Sequence, residues 1–207
     1  MADLVLYTNP MSRGRIARWM LEEVGEPYET VALAYGPEMQ SASYRALNPM
    51  AKVPTLTHAE RIVTECGAIC AYLADAFPAA GLAPPPAERA AYYRWLFFGA
   101  GPVEAATTNE AMGFTTDDLL QQGRLGYGSL ARVVDALVHA VSKGPFIAGD
   151  VFSAADVYLG AQIGWGLEFG TLPRRRELVD YAARARDRDA YRRAKALDDA
   201  LMPSPPT

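Results

Sequence analysis

Two cysteines and two histidines in 207 residues leave little material for metal or thiol chemistry. Cys66 and Cys70 stand four apart in a helix-like segment, a spacing that suits neither a disulfide framework nor a tetrahedral zinc site. Both are read as reduced, buried thiols, and no metal is expected. His58 falls in a turn and His139 on a helix, without sequence partners that point to acid–base or metal work, so both read as structural. Long apolar runs are missing too. After Met1, Ala2 and Asp3 the chain shows no basic leader and no apolar stretch of the about 20 residues a membrane span needs, and the expected compartment is the cytoplasm. Positive charge is also short: 20 lysines and arginines against 24 acids give a formal charge of −4. The basic residues are dispersed or paired with acids, so neither nucleic acid nor a membrane surface is an expected partner. What is present is ordinary. Half the residues are apolar and about a fifth charged, enough to bury one large core or two small ones.

Hydrophobic periodicity divides the chain. Leu4-Val5-Leu6-Tyr7 reads as a strand, stopped by Thr8-Asn9-Pro10, and Ile16, Ala17, Met20, Leu21 and Val24 then recur at helical spacing up to Gly25. A second strand is predicted over 28–33, and a polar irregular stretch leads to Asn48-Pro49. Two strands follow, over 53–57 and 61–63 around a short polar turn, then a helix over 65–77. Strand, helix, strand, hairpin, helix is a small α/β layer. Pro54 is the misfit, because proline cannot donate to a sheet ladder; such a residue marks an edge, a special turn or a cis bond. The proline-rich stretch over 78–86 blocks helix continuation and sets the boundary. The division is 1–80 for the α/β domain, 81–87 for the linker and 88–207 for an all-helical domain. Helices are predicted over 87–112, 117–142, 154–168, 174–186 and 188–201, the first kinked at Pro102. Ser153 and Asp156 form a capping box flanked by an apolar pair, so a helix start is firmly placed there.

Three stretches together carry a resemblance over nearly the whole chain: Asn48-Pro49-Met50-Ala51-Lys52-Val53-Pro54-Thr55-Leu56, Thr64-Glu65-Cys66-Gly67-Ala68-Ile69 opening a helix, and the Ser-x-x-Asp box at Ser153 and Asp156. In this order, behind an N-terminal β-α-β, they resemble a cytosolic glutathione transferase, and the loop over 9–15 is similar to bacterial branches of that family. The resemblance implies a fold of class α/β plus all-α: an N-terminal thioredoxin-like domain followed by a C-terminal helical bundle. It implies a cis bond between Val53 and Pro54, with Val53 recognising the backbone of glutathione like an added strand. Glu65 would meet the γ-glutamyl end at a helix start and Lys52 the glycyl carboxylate. The family usually has serine after that glutamate; Cys66 is a weaker donor. It implies glutathione as co-substrate without a permanently bound cofactor, a small hydrophobic electrophile as the other partner, a detoxifying role and a symmetric homodimer.

Conjugation needs the glutathione sulfur as thiolate, and a free thiol with a pKa of about 8.5 is mostly protonated at neutral pH. Each unit of lowering takes about 1.4 kcal/mol, within reach of one aimed hydroxyl and a helix N-terminus. Ser12, in the loop before the first helix, is one candidate donor, although serine there also serves as a plain cap. Tyr7, at the end of the first strand, is the other, although strand tyrosines commonly pack. Asn9 and Arg13 are second-rank electrostatic supports. Trp95, Phe97, Phe98, Trp165 and Phe169 are candidates for a second-substrate pocket between the halves, or simply core. Other readings keep the fold: glutathione-dependent disulfide or peroxide reduction, lyase, dehalogenase or isomerase chemistry, or a silent glutathione-binding scaffold.

Overall fold

Leu4, Leu6 and Thr8 of β1 (Leu4–Thr8) are buried while Val5 and Tyr7 are half-buried, the alternation expected of a strand packed on one face. The structure is a computed structural model that describes residues 3–202; the Pro-Ser-Pro-Pro-Thr tail and the first two residues lie outside them. β1 pairs in parallel with β2 (Glu29–Ala32) and antiparallel with β3 (Thr55–His58), which pairs antiparallel with β4 (Arg61–Thr64), giving the order β2-β1-β3-β4. A parallel pair needs a crossover, and α1 (Gly14–Val24) supplies it. Ile16, Ala17, Met20 and Leu21 bury its apolar stripe, and Gly25 ends it at φ 81°, a left-handed position that glycine takes without strain. α3 (Cys66–Ala76) packs beside α1 and against β4. The arrangement is thioredoxin-like, as expected.

Two features of this part differ from the sequence reading. The stretch read as irregular contains α2 (Ala42–Leu47), whose first turn Ser41 caps by accepting from the Tyr44 N–H at 3.3 Å. Six residues burying only Tyr44 carry no helical stripe that periodicity can detect. The second difference concerns α10 (Asp189–Asp199), expected to belong to the helical half. The chain forms two units, the first taking residues up to Ala80 and again from Arg188, the second running from Gly81 to Asp187. α10 packs on α1: its buried Ala190 and Ala194 permit close approach, Trp19 meets Tyr191 edge-on with centroids 4.9 Å apart, and Arg18 pairs with Asp198 at 2.8 Å, both fully buried. Arg188 adds a two-pronged bond to Glu23, and Arg193 pairs with Glu22.

The second unit is helical: α4 (Ala90–Phe98), α5 (Glu104–Met112), α6 (Leu119–Arg124), α7 (Leu130–Val141), α8 (Ala154–Phe169) and α9 (Arg176–Arg186). Between α4 and α5, Pro102 sits in one wide π-helical turn, Gly99–Val103, in which Glu104 N–H reaches the Gly99 carbonyl. The missing proline N–H is thereby absorbed without ending the helix. The single helix expected over 117–142 is two helices. Leu125 is extended, Gly128 is left-handed at φ 72°, and Ser129 starts α7 afresh by accepting from Arg132 N–H. α8 is buried nearly all round and packs against α4 and α9. A Cβ at Gly164 would stand 2.0 Å from the Arg186 guanidinium, so a larger residue there would displace that side chain. At its start Asp156 accepts from Ser153 N–H, the Ser153 hydroxyl, Ile147 N–H and the Tyr181 hydroxyl. The sequence-predicted capping box is therefore the centre of a buried polar cluster.

Candidate functional site

Strand register brings the candidate residues of the first unit to one end of the sheet. Tyr7 of β1 stands opposite Thr55 of β3, and Thr55 opposite Thr64 of β4. The segments that continue from these three residues are the loop over 8–13, the Lys52-Val53-Pro54 turn that enters β3, and the Glu65-Cys66 entry to α3. Two contacts fasten them. The Cys66 thiol donates to the Arg13 carbonyl at 3.4 Å, and the Tyr7 ring lies 5.8 Å from that of Tyr44, whose hydroxyl donates to the Lys52 carbonyl at 2.6 Å.

The Val53-Pro54 bond is cis. The turn before it is built by residues that sequence reasoning passed over. Asn48, buried, accepts from Met50 N–H and donates through Nδ2 to the Lys52 carbonyl at 2.9 Å, while Tyr44 and Asn48 share the Thr55 hydroxyl. The signal was an asparagine before a proline, which reads as a turn residue but gives no hint that its amide ties both sides of the turn. Val53, half-buried, has no hydrogen-bond partner for its N–H or carbonyl among the described residues. An unpaired backbone edge of this kind accepts another extended chain.

At the entry to α3, Glu65 has φ 67° and makes no side-chain cap. Its exposed carboxylate is unpartnered among the described residues, as are the N–H groups of Gly67 and Ala68 in the first turn. A carboxylate beside free helix N–H groups offers one partner for an ammonium and another for a carboxylate, the two ends of an amino acid. Cys66 is 8% exposed and its thiol proton is engaged by the Arg13 carbonyl. One turn on, Cys70 is fully buried, and burial pushes its thiol well above the ordinary range. Lys52 is exposed, and its side chain has no partner among the described residues.

The loop before α1 is tightly specified. Asn9, buried, donates to the Leu33 carbonyl at 2.7 Å and accepts from Met11 N–H, so its amide helps to fix the loop. Ser12 donates to the Asn9 carbonyl at 2.7 Å and accepts from Gly14 N–H at 2.9 Å. Tyr35 caps the Met11 carbonyl. Arg13 is exposed at the N-terminal boundary of α1. The Tyr7 hydroxyl makes no hydrogen bond among the described residues.

Glutathione S-transferase F10 of Arabidopsis thaliana is 30% identical to this chain over 168 residues, 74% of this chain and 76% of the relative. The chain belongs to the glutathione S-transferase family. Residues 2–75 match the family model described as the glutathione S-transferase N-terminal domain. Among solved structures, a glutathione transferase from Methylococcus capsulatus superposes with a TM-score of 0.78 at 25% identity, covering 95% of this chain and 99% of that one. A theta class glutathione S-transferase from Xanthomonas axonopodis pv. citri, solved with glutathione bound, gives a TM-score of 0.74 at 27% identity over 94% of this chain and 97% of that one.

The aromatic candidates for this family's second substrate lie in the second unit. Trp95 is buried, edge-on to Phe98 and under the Arg94 guanidinium, and is core. Phe98 and Trp165 are half-buried, whereas Phe97 and Phe169 are 74% and 76% exposed. No group of three or more metal-ligating side chains occurs among the described residues, and no helix among them is long and apolar enough to cross a membrane. His58 bonds the Tyr72 hydroxyl and stacks on Phe77, and His139 is exposed on α7.

Proposed function

We propose that this family member binds glutathione at the sheet end described above and activates its thiol as thiolate for attack on a hydrophobic electrophile. The observation that carries the reading is the unpaired backbone of Val53 facing the same sheet end as the free Gly67 and Ala68 amides and the Glu65 carboxylate. Glutathione is an extended peptide with a backbone to pair and an amino-acid end to hold, and these groups match both. Lys52 supplies the charge for the glycyl carboxylate.

Ser12 is the thiolate donor in this reading. Its proton now rests on the Asn9 carbonyl, which also receives the Ser12 N–H at 3.0 Å. Turning the hydroxyl to a sulfur therefore leaves no carbonyl unpaired, and the Gly14 N–H donating into the oxygen makes it a better donor. Tyr7 is the second reading, favoured by its unengaged hydroxyl. Phe97, Phe98, Trp165 and Phe169 are offered as apolar contacts for the electrophile.

Ultraviolet titration of the thiolate in the glutathione complex tests this. The account expects a bound thiol pKa about one to two units below the free value of about 8.5, restored by Ser12→Ala and not by Tyr7→Phe. Restoration by Tyr7→Phe alone transfers the role to Tyr7. A bound thiol with an unshifted pKa contradicts thiolate activation.

A further inference from the structure

We propose that Arg15 and Asp199 form a positioning relay through which the C-terminal helix α10 holds the loop that carries Ser12. The proposal rests on the reading of Ser12 given above for its catalytic consequence, but its structural part stands on contacts of the chain alone.

Arg15 lies in the first turn of α1. Its Nε donates to the Pro10 carbonyl at 2.5 Å, and its Nη1 pairs with an Asp199 carboxylate oxygen at 2.9 Å. Lys195, one turn earlier on α10, holds the other Asp199 oxygen. A guanidinium is planar and its donors are fixed relative to one another, so the two bonds constrain each other: moving Asp199 turns the plane and carries the Pro10 carbonyl with it. Pro10 sits inside the turn in which Ser12 N–H and the Ser12 hydroxyl both bond the Asn9 carbonyl. The neighbouring carbonyls have partners outside α10: Met11 the Tyr35 hydroxyl, Ser12 the Arg15 N–H, and Arg13 the Ile16 N–H and the Cys66 thiol. Pro10 is the one tied through a side chain to the end of the chain.

This pair is poorly suited to a purely stabilising role. The Arg15 and Asp199 side chains are 24% and 42% exposed, and ion pairs this wet add little to stability. α10 already docks on α1 through the buried Arg18–Asp198 pair and through the pairs of Arg188 with Glu23 and Arg193 with Glu22. What Arg15 adds is direction. Lys195 and Arg15 hold the Asp199 carboxyl below the ordinary carboxylate range, which keeps the pair charged at neutral and mildly acidic pH.

The test compares Arg15→Lys, which keeps the charge and loses the fork, and Asp199→Asn with Arg193→Ala, which weakens α10 docking at Glu22 without reaching the loop. Amide hydrogen exchange in the ligand-free protein reads the relay directly. Faster exchange at Ser12 and Gly14 in the first two variants and not in Arg193→Ala is the expected result. In the glutathione complex the same two variants raise the bound thiol pKa and lower kcat toward a chlorinated dinitrobenzene about 3- to 10-fold, with little change in KM for glutathione. Unchanged exchange at Ser12 and Gly14, equal effects from Arg193→Ala, or wild-type behaviour of Arg15→Lys overturns the relay. A wild-type protein that binds no glutathione overturns the functional reading instead and leaves the relay to be decided by the exchange data.

Discussion

Of the helices that begin beside a serine, α8 and α1 use it in opposite ways. At α8, Ser153 and Asp156 close a reciprocal box that is fully buried, with Ile147 N–H and the Tyr181 hydroxyl completing the carboxylate. At α1, the boundary residue is Arg13, no side chain makes a cap, and Ser12 stands half-exposed in a loop bonded to Asn9 and Gly14. The start of α3 is more open still: behind a strained Glu65 its Gly67 and Ala68 N–H groups have no partner among the described residues, whereas in α1 the Gly14, Arg15 and Ile16 N–H groups are bonded to Ser12 and Arg13. In the second unit α6, α7 and α8 are each capped by a serine or aspartate. A sealed helix start contributes stability; an open one leaves donors and charge for a ligand.

The sharpest way to break this contrast is to remove Asp156. Asp156→Ala leaves two backbone N–H groups and two hydroxyls without their buried acceptor, and is expected to cost about 3–5 kcal/mol, read as a fall in unfolding free energy in denaturant titrations. A loss under about 1 kcal/mol would show that the box is replaceable by water. At the open start of α3 the large effect should fall on binding. Glu65→Gln is expected to weaken glutathione binding about tenfold by calorimetry while leaving the melting temperature in place, since the Glu65 carboxylate has no partner among the described residues. Ser12→Ala should cost only about 0.5–1 kcal/mol of stability, because the oxygen it removes serves one amide in a half-exposed loop. A loss matching that of Asp156→Ala would make Ser12 a structural cap after all.

How much of this contrast was legible in the sequence follows from what each feature depends on. The Ser153-x-x-Asp156 box is local, four residues long, and was read correctly. So were the four strands, α1 and α3, because each is a short run with its own periodicity. The cis bond between Val53 and Pro54 and the role proposed for Glu65 came from resemblance, since nothing in the spacing of those residues says what they face. The scaffolding behind them was not legible: Asn48 and Tyr44 act through bonds to Lys52 and Thr55 that exist only once β3 is in place. The membership of α10 was missed for the same reason. Its small buried face fits any apolar partner, and the arginines that pair it with Glu22 and Glu23 are separated from them by more than 160 residues in the chain. The break at Gly126-Tyr127-Gly128-Ser129 was present in the sequence as a turn signal followed by a cap, and the apolar periodicity on either side masked it.

The smallest effect concerns the seam between α1 and β2. Burial and the bond donated to Glu22 push the Tyr28 phenol up to about 12, against an ordinary value of 10.0. A folded-state pKa above the unfolded one means that the native state keeps the proton longer, so this contribution is intact below pH 10 and is lost as pH rises toward 12. Absorbance titration of phenolate should show a group of tyrosines ionising late in the native protein, the buried Tyr181 and Tyr44 with Tyr28, and Tyr28→Phe should remove one tyrosine from that late group.

The account stands most directly on where glutathione binds. Titration of the isotopically labelled protein with glutathione, followed by amide nuclear magnetic resonance, should shift the Val53, Gly67 and Ala68 signals together and saturate them at one affinity. Saturable binding that leaves those three amides unmoved would contradict the assignment of the open helix start and the Val53 edge as the glutathione site.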